Sequence, residues 1–115
     1  MRRGDVRLTD LDPARGSEAR SRRPAVIVSN DRANDTAERL NLGVVTVVPV
    51  TSNISRVYAF QVLLPASQSG LRVDSKAQAE QVRAVAVDRL GTLLAHLPAS
   101  LMSEVDEALR LHLLL

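Results

Sequence analysis

The sequence predicts a mainly β fold, a small β-barrel of five or six short strands with one C-terminal helix. Two apolar runs, residues 24–29 and 44–50, have the length and the β-branched composition of buried strands. Other segments alternate between apolar and polar residues, as half-buried strands do. Near the end of the chain, apolar residues recur at helical spacing over residues 101–109, and Ser100 is the expected N-terminal cap. Strands followed by a single helix favour a barrel with an appended helix.

The strands are predicted from local patterns of apolar residues. Residues 5–11 alternate loosely and form the first strand, and the apolar runs at 24–29 and 44–50 form the next two. Because Pro49 has no N–H to donate to a neighbouring strand, we expect a bulge or an edge at this position. A further strand spans residues 58–64, with three apolar side chains on one face: Phe60, Val62 and Leu64.

Polar segments separate these strands. Residues 12–22 are rich in turn-forming and charged residues and are predicted to form a loop. Residues 31–43 are also polar, and we expect a loop there with one helical turn at 36–40. Residues 65–70 form a predicted turn.

A change of phase marks the segment that follows. Between residues 73 and 86 the apolar positions switch from odd to even numbers. Since side chains alternate strictly between the two faces of a strand, this slip predicts a β-bulge or a break near Glu80 and Gln81.

The composition predicts a single soluble domain over residues 1–115. The absence of Cys excludes disulfides and thiolate metal sites. No apolar stretch approaches the roughly 18 residues of a membrane span, so we expect a cytoplasmic protein with no membrane partner. His96 in a predicted loop and His112 on the final helix are far apart, and no metal site is expected. No phosphate-binding glycine loop or hydrolase motif is present, and no cofactor is expected.

Charge is distributed unevenly along the chain. Residues 1–23 hold seven Arg against four acidic residues, whereas the whole chain has a net charge of only +2. This asymmetry suggests an anionic partner for the N-terminal third. A solvated basic loop explains the charge alone equally well.

Polar residues at strand ends are the candidate functional groups. Arg23 directly precedes Pro24, which biases Arg23 toward an extended conformation. Thr51 and Ser52 lie where a buried strand emerges at the rim of the predicted barrel, and such rims bind nucleic acids in small barrels. An Arg close to a hydroxyl could stabilise a pentacoordinate phosphorane formed when the 2′-OH of RNA attacks. The alternative is structural: Arg23 pairs with a nearby acid and Thr51 caps a turn.

Seven collinear segments of the chain resemble the MazF/PemK family of toxin endoribonucleases. They read GDVRLTDLDP (4–13), GSEA (16–19), RRPAVIVSND (22–31), VVPVTS (47–52), YAFQV (58–62), EQVRAV (80–85) and VDEAL (105–109). The resemblance implies an SH3-like barrel, a homodimer and a cognate MazE-like antitoxin whose acidic tail lies along the RNA groove. It also implies metal-independent, sequence-specific cleavage of single-stranded RNA that leaves a 2′,3′-cyclic phosphate and a 5′-hydroxyl.

The resemblance also assigns roles to individual residues. By position, Arg23 matches the catalytic arginine of the family and Thr51 the catalytic threonine. Glu18 matches a loop glutamate of the family, and the remaining RNA-binding candidates lie where groove residues are expected: Ser52, Arg56, Phe60 and Gln81.

Two departures from the family pattern affect the expected recognition of RNA. Leu8 stands where many relatives have an aromatic residue, and Ala59 replaces the proline between Tyr58 and Phe60. Because few aromatic residues remain to stack on bases, we expect an altered sequence preference. The polar segment 31–43 is the predicted specificity loop.

Two further functions are open on the sequence. One is a toxin that binds a protein, as the gyrase poison CcdB does on a related fold. The other is a non-catalytic barrel that binds RNA without cleaving it.

Overall fold

Residues 1–11 and 22–115 are described by the computed structural model, and they confirm the predicted class, a mainly antiparallel β fold with short helices and a C-terminal helix. The strands are Asp5–Asp10 (β1), Arg22–Ile27 (β2), Val44–Thr51 (β3), Gln61–Leu64 (β4), Ser75–Gln78 (β5), Arg83–Ala86 (β6) and Leu90–His96 (β7). The helices are Asp31–Leu40 (α1), Ala66–Ser69 (α2) and Ala99–Leu113 (α3), and two 3₁₀ turns span Ala79–Gln81 and Val87–Arg89.

Strand β3 lies at the centre of the sheet. The sheet order is β4-β5-β3-β2-β1-β7, and β6 also pairs with β3. On one side β3 pairs with β2; on the other it pairs first with β6, up to Val47, and then with β5, from Val50. Pro49 lies in the gap between the β6 and β5 ladders, where one side of β3 has no partner. The missing N–H of Pro49 is therefore tolerated in a central strand. The edge predicted at Pro49 is limited to this gap, on one side of β3.

Both faces of the central strands are buried, which explains their unbroken apolar runs. Alternate residues of β2 and β3 pack into two separate cores. The first core lies under α3 and includes Val26, Val48, Val50, Leu101, Val105 and Ala108. The second lies under α1 and includes Ala25, Ile27, Ala37, Val45, Val47 and Val85.

Helix α1 corrects the prediction of a loop over residues 31–43. The segment has suitable caps at both ends: the Asn30 side chain accepts a hydrogen bond from the Ala33 N–H at 2.9 Å, and Asn41 ends the helix in the left-handed conformation. Asn34 is fully buried, and its Nδ2 donates to the Ser29 carbonyl at 2.9 Å. Polar contacts rather than apolar burial hold this helix on the sheet, so apolar periodicity did not reveal it.

Strand β7 was not predicted, and His96 is its last residue rather than part of a loop. The side chain of His96 lies 2.7 Å from Oδ1 of Asp5, which is buried at the start of β1. A carboxylate can only accept, so Nδ1 of His96 carries the hydrogen. Oδ2 of Asp5 accepts from the Arg2 N–H at 2.8 Å. Asp5 therefore joins the N-terminus to the end of β7.

Several predicted boundaries shift in the structure. Phe60 precedes β4, although Val62 and Leu64 are buried on one face of that strand as predicted. The predicted break near Glu80 is confirmed as the 3₁₀ turn between β5 and β6. Ser100 is not the cap of α3, because the helix begins one residue earlier, after Pro98. Among residues 1–11 and 22–115, no helix is long and apolar enough to cross a membrane.

The ionisation of Asp5 is coupled to folding. Burial alone would raise the pKa of the Asp5 carboxyl, but the hydrogen bonds from Arg2 and His96 outweigh burial and hold this pKa below its usual range. A carboxyl with a depressed folded pKa stabilises the fold above its unfolded pKa of about 3.9. That contribution is lost as the pH falls through the lower, folded pKa.

We expect Asp5→Asn to lower the free energy of unfolding by about 1–3 kcal/mol at neutral pH, because hydrogen bonds to a charged group are lost. The difference from the unsubstituted protein should shrink as the pH falls below about 3.9 and toward the lower pKa of the folded state, where the native carboxyl also becomes protonated. Urea unfolding across this pH range measures both effects. Asp35→Asn, at an exposed position of α1, is the control. A deficit of the same size at every pH would contradict the account.

Candidate functional site

Four polar residues form a row across the sheet, hereafter the polar row: Thr9, Arg23, Thr51 and Lys76. Thr9 pairs with Arg23 between β1 and β2, and Thr51 pairs with Lys76 between β3 and β5. The β2–β3 pairing ends at Ala25 and Pro49, and Arg23 and Thr51 each lie two residues beyond it, on the same face of their strands as Ala25 and Pro49. Directly opposed residues in antiparallel strands, such as Thr9 with Arg23 and Thr51 with Lys76, present their side chains on one face, with Cβ atoms about 4.5–5.5 Å apart. Both residues predicted as catalytic therefore lie on one face of the sheet.

Arg23 presents an exposed guanidinium on this row. Its side chain makes no hydrogen bond or ion pair with any residue of 1–11 or 22–115. The predicted alternative, an ion pair with a nearby acid, is therefore not found within these ranges. Arg22 is also exposed, and as the neighbouring strand residue it points to the other face.

Thr51 is half-buried at the end of β3 and has an oriented hydroxyl. Its Oγ1 accepts a hydrogen bond from the Asn53 N–H at 3.2 Å. Thr51 therefore caps a turn, as the structural alternative predicted. Accepting this bond leaves the hydroxyl proton of Thr51 available for donation. Capping and donation to a ligand are therefore compatible. Ser52 follows as an exposed residue.

Lys76 is the member of the row that sequence reasoning missed. Its side chain is buried, with 8% of the residue exposed, and its Nζ donates to the Arg56 carbonyl at 2.6 Å. In the sequence, Lys76 is one of the polar residues of an alternating segment, and such residues are typical of a strand face that is exposed to solvent. Only the pairing of β3 with β5 places Lys76 beside Thr51.

The side chains of Arg56 and Phe60 both contact Tyr58, and the three form a stack, hereafter the aromatic stack. The rings of Tyr58 and Phe60 are parallel within 3°, with centroids 5.3 Å apart. The Arg56 guanidinium lies 5.7 Å from the Tyr58 ring centroid and donates to the Tyr58 hydroxyl at 3.2 Å. Tyr58 is 45% exposed. It belongs to this arrangement although it was not among the predicted site residues.

A polar cluster lies behind the aromatic stack. The Gln61 side chain accepts from the Tyr58 N–H at 3.2 Å and donates to Oε2 of Glu80 at 2.8 Å. Within the part of the chain that the structure describes, Oε1 of Glu80 and Oε1 of Gln78 are buried acceptors without a partner. Such acceptors suit N–H donors of a ligand. Gln81 is exposed at the end of the adjoining turn, whereas Glu18 lies outside the described residues.

The surroundings of the polar row are positive. Arg23, Arg56 and Lys76 form no ion pair with any described residue. Guanidinium groups bind phosphate oxygens in a bidentate manner, so the row is suited to an anion. Over the described ranges, no three His, Asp or Glu residues come together as metal ligands.

The chemistry available to the polar row is stabilisation rather than attack. Its described members offer the cations of Arg23 and Lys76 and the hydroxyl of Thr51, whereas the Thr9 hydroxyl is fully buried and donates to the Arg7 carbonyl at 2.9 Å. None of the four is an imidazole, a thiol or a carboxylate. Arginine is a poor general base at neutral pH. A nucleophile that belongs to the substrate itself fits this arrangement best.

The chain is similar to known toxin endoribonucleases. The model of the PemK-like, MazF-like toxin of type II toxin–antitoxin systems matches residues 2–113. The chain is 62% identical to endoribonuclease MazF9 of Mycobacterium tuberculosis over 113 residues, which cover 98% of this chain and 96% of the relative. It is 36% identical to endoribonuclease MazF of Staphylococcus saprophyticus over 98% of this chain and 91% of the relative.

Solved structures show the same fold. MazF of Deinococcus radiodurans, 28% identical, superposes with a TM-score of 0.78 over all of this chain and 97% of that one. A MazE–MazF structure from the same organism contains a chain that is 29% identical, also with a TM-score of 0.78, over 98% of this chain and 95% of that one.

The aromatic stack gives a direct test of nucleic-acid binding at this site. Tyr58 is the only tyrosine and the chain has no tryptophan, so intrinsic fluorescence reports on the stack. We expect a single-stranded 2′-O-methyl RNA to quench this emission. Phe60→Leu should weaken binding about 5- to 150-fold, because one base–aromatic contact contributes about 1–3 kcal/mol.

Leu42→Ala is the matched control, since Leu42 is 70% exposed beyond the end of α1. It should bind as the unsubstituted protein does. RNA binding seen by anisotropy without any change in Tyr58 emission would show that bases do not use the stack.

Proposed function

The chain belongs to the PemK-like, MazF-like toxin family of type II toxin–antitoxin systems, and we propose that the polar row is the centre at which it cleaves RNA. Its activity is that of a toxin endoribonuclease, as predicted. The observation that carries the proposal is that an exposed Arg23, which has no side-chain partner among residues 1–11 and 22–115, shares a face of the sheet with a Thr51 hydroxyl that keeps its proton.

Cleavage proceeds by attack of a neighbouring 2′-OH on the scissile phosphate. The 2′-oxygen forms a bond to phosphorus as it loses its proton, and the bond from phosphorus to the 5′-oxygen breaks as that oxygen gains a proton. The products are a 2′,3′-cyclic phosphate and a 5′-hydroxyl. Since the nucleophile comes from the substrate, the row has only to bind and stabilise, and the reaction does not depend on a metal or a cofactor.

Arg23 and Thr51 have separate roles in this reaction. The Arg23 guanidinium neutralises the charge that builds on the equatorial oxygens of the phosphorane. The Thr51 hydroxyl donates a hydrogen bond to a non-bridging oxygen. Both groups lie on strands that the pairing of β2 with β3 holds together, which supports their acting as fixed donors.

Recognition of single-stranded RNA uses the residues around the row. Bases stack on Tyr58 beside Arg56 and Phe60, since every base has a face that suits such a platform. Ser52 and Gln81 are exposed and supply hydrogen bonds. Glu18 keeps its predicted role as an RNA-binding residue. Helix α1 occupies residues 31–40, so the prediction of a specificity loop there is wrong, and the segment 31–43 has no part in the proposed contacts with RNA.

Two protein partners complete the proposal. One is a cognate MazE-like antitoxin, whose acidic segment is complementary to the unpaired cations of the row. The other is a second copy of the chain, since apolar side chains at the end of α3 are exposed: Leu111, Leu113, Leu114 and Leu115. The toxin acts in the cytoplasm, where RNA is available. A CcdB-like protein-directed toxin and a non-catalytic barrel are less well supported, because neither requires Arg23 and Thr51 to share a face of the sheet.

We expect Arg23→Ala to reduce the cleavage rate about 10²–10³-fold, the usual cost of removing one donor aimed at developing charge. Thr51→Ala should also slow cleavage, while Thr51→Ser should recover most of the loss because it restores the hydroxyl. Single-turnover cleavage of a long, structure-poor RNA in EDTA, with sequencing of 5′-hydroxyl ends, measures these effects.

Arg39→Ala is the matched control for loss of positive charge. Arg39 is exposed near the end of α1, next to the start of β3, and the length of β3 separates that end from Thr51 by roughly 20 Å. This variant should cleave at the native rate. Native cleavage by folded Arg23→Ala protein would refute the assignment of the site.

The homodimer is tested by sedimentation equilibrium at micromolar concentration. We expect a mass of twice the 12.5 kDa protomer. Replacing Leu111 and Leu113 with Glu should shift the equilibrium toward the single chain, because charge would then have to be buried in an apolar contact. A 12.5 kDa species alone would contradict the dimer.

A further inference from the structure

Lys76 is a buried ammonium group for which the reaction described above has no role. It is 8% exposed, and its side chain lies on the same face of the sheet as Thr51. No carboxylate among residues 1–11 and 22–115 lies within 4.0 Å of Nζ. Charged groups are rarely buried without an opposite charge, because desolvation is costly. A lysine kept in this state suggests that its counter-ion is supplied by a ligand.

The single hydrogen bond of Lys76 links the polar row to the aromatic stack. Nζ donates to the Arg56 carbonyl at 2.6 Å, and the Arg56 side chain in turn bonds to Tyr58. An ammonium group has three N–H donors, so two donors remain for other partners. Lys76 therefore bonds to the segment that carries the stack, while its backbone pairs with Thr51.

We propose that Lys76 is a positioning residue of the RNA site, an inference that rests on the proposed function. Its ammonium holds the 52–58 segment through the Arg56 carbonyl and places a buried positive charge behind the phosphate that Arg23 and Thr51 bind. Phosphate binding supplies the missing counter-charge. The spacing between phosphate and stacked base is thereby fixed, and a misplacement of about 1 Å at such a site can slow a reaction as much as 100-fold.

Lys76 is the only lysine in the chain, and this makes a direct measurement possible. Protein labelled with ¹³C-lysine gives one ¹³Cε resonance. Titration with a single-stranded 2′-O-methyl RNA, which binds without being cleaved, should shift that resonance. The same titration of Arg23→Ala protein should give a smaller shift, because the phosphate is then held less firmly. A resonance that does not move while RNA binds would overturn the proposal.

Two substitutions separate the charge from the hydrogen bond. Lys76→Met has a similar length and no polar group, so burial does not prevent folding, whereas Lys76→Gln keeps a donor for the Arg56 carbonyl. Both should reduce by about 0.7 the slope of log binding constant against log salt, the value for one neutralised phosphate on a single strand. Lys76→Met should lower kcat/KM roughly 10- to 100-fold, and Lys76→Gln should lower it less.

The outcomes distinguish this inference from the proposed function. If native protein does not cleave RNA, the proposed function fails, but the ¹³Cε titration still tests whether Lys76 faces a bound RNA. If native protein cleaves RNA and both variants keep the native rate and salt slope, only the role of Lys76 is refuted. A lower thermal stability with an unchanged salt slope would make Lys76 a structural residue and would also refute the proposal.

Discussion

The change of partners along β3 sets the geometry of the whole molecule. This strand pairs with β2 along one side, while its other side passes from β6 to β5 across the gap at Pro49. A slip of one residue in any of these registers would turn Thr51 to the opposite face. The two cores oppose such a slip, because it would move each buried side chain of β3 out of the core that it now fills and into the other one. The burial of apolar residues at one end of β2 and β3 therefore fixes the position of polar groups at the other end.

Under the proposed function, this arrangement would let a small site without a histidine or a metal-ligand cluster in its described part promote a reaction. The polar row would contribute fixed cations and the Thr51 hydroxyl and leave the nucleophile to the substrate. Fixed donors need little reorganisation when charge develops, which is why they stabilise a transition state better than water does. The burial of Lys76 strengthens the effect, since a charge shielded from solvent interacts over a longer range. The aromatic stack is held at the same end of β3 by Lys76 and Gln61.

The sequence predicted the parts of the fold that depend on apolar pattern. The strands at 24–29 and 44–50 and the C-terminal helix were recognised, with boundary errors of a few residues. Helix α1 was missed because Asn34 and its hydrogen bonds, not an apolar face, hold it in place. Strand β7 was missed because its residues do not alternate clearly between apolar and polar types. Arg23 and Thr51 were predicted as catalytic by resemblance to a family. The position of Lys76 depends on the pairing of β3 with β5, which no local pattern reveals. Tyr58, in contrast, contacts Arg56 and Phe60, its close neighbours in the sequence, and was overlooked.

The central claim, that the polar row promotes attack by the substrate's own 2′-OH, is tested most directly with an RNA that lacks this group at one position. The native RNA and a version with a single 2′-deoxynucleotide on the 5′ side of a mapped cut would be incubated with the protein in EDTA, and the new ends identified by mass spectrometry. The account predicts a 2′,3′-cyclic phosphate and a 5′-hydroxyl from the native RNA, and no cut at the deoxy position although the RNA still binds. Cleavage at the deoxy position, or a product with a 5′-phosphate, would contradict it.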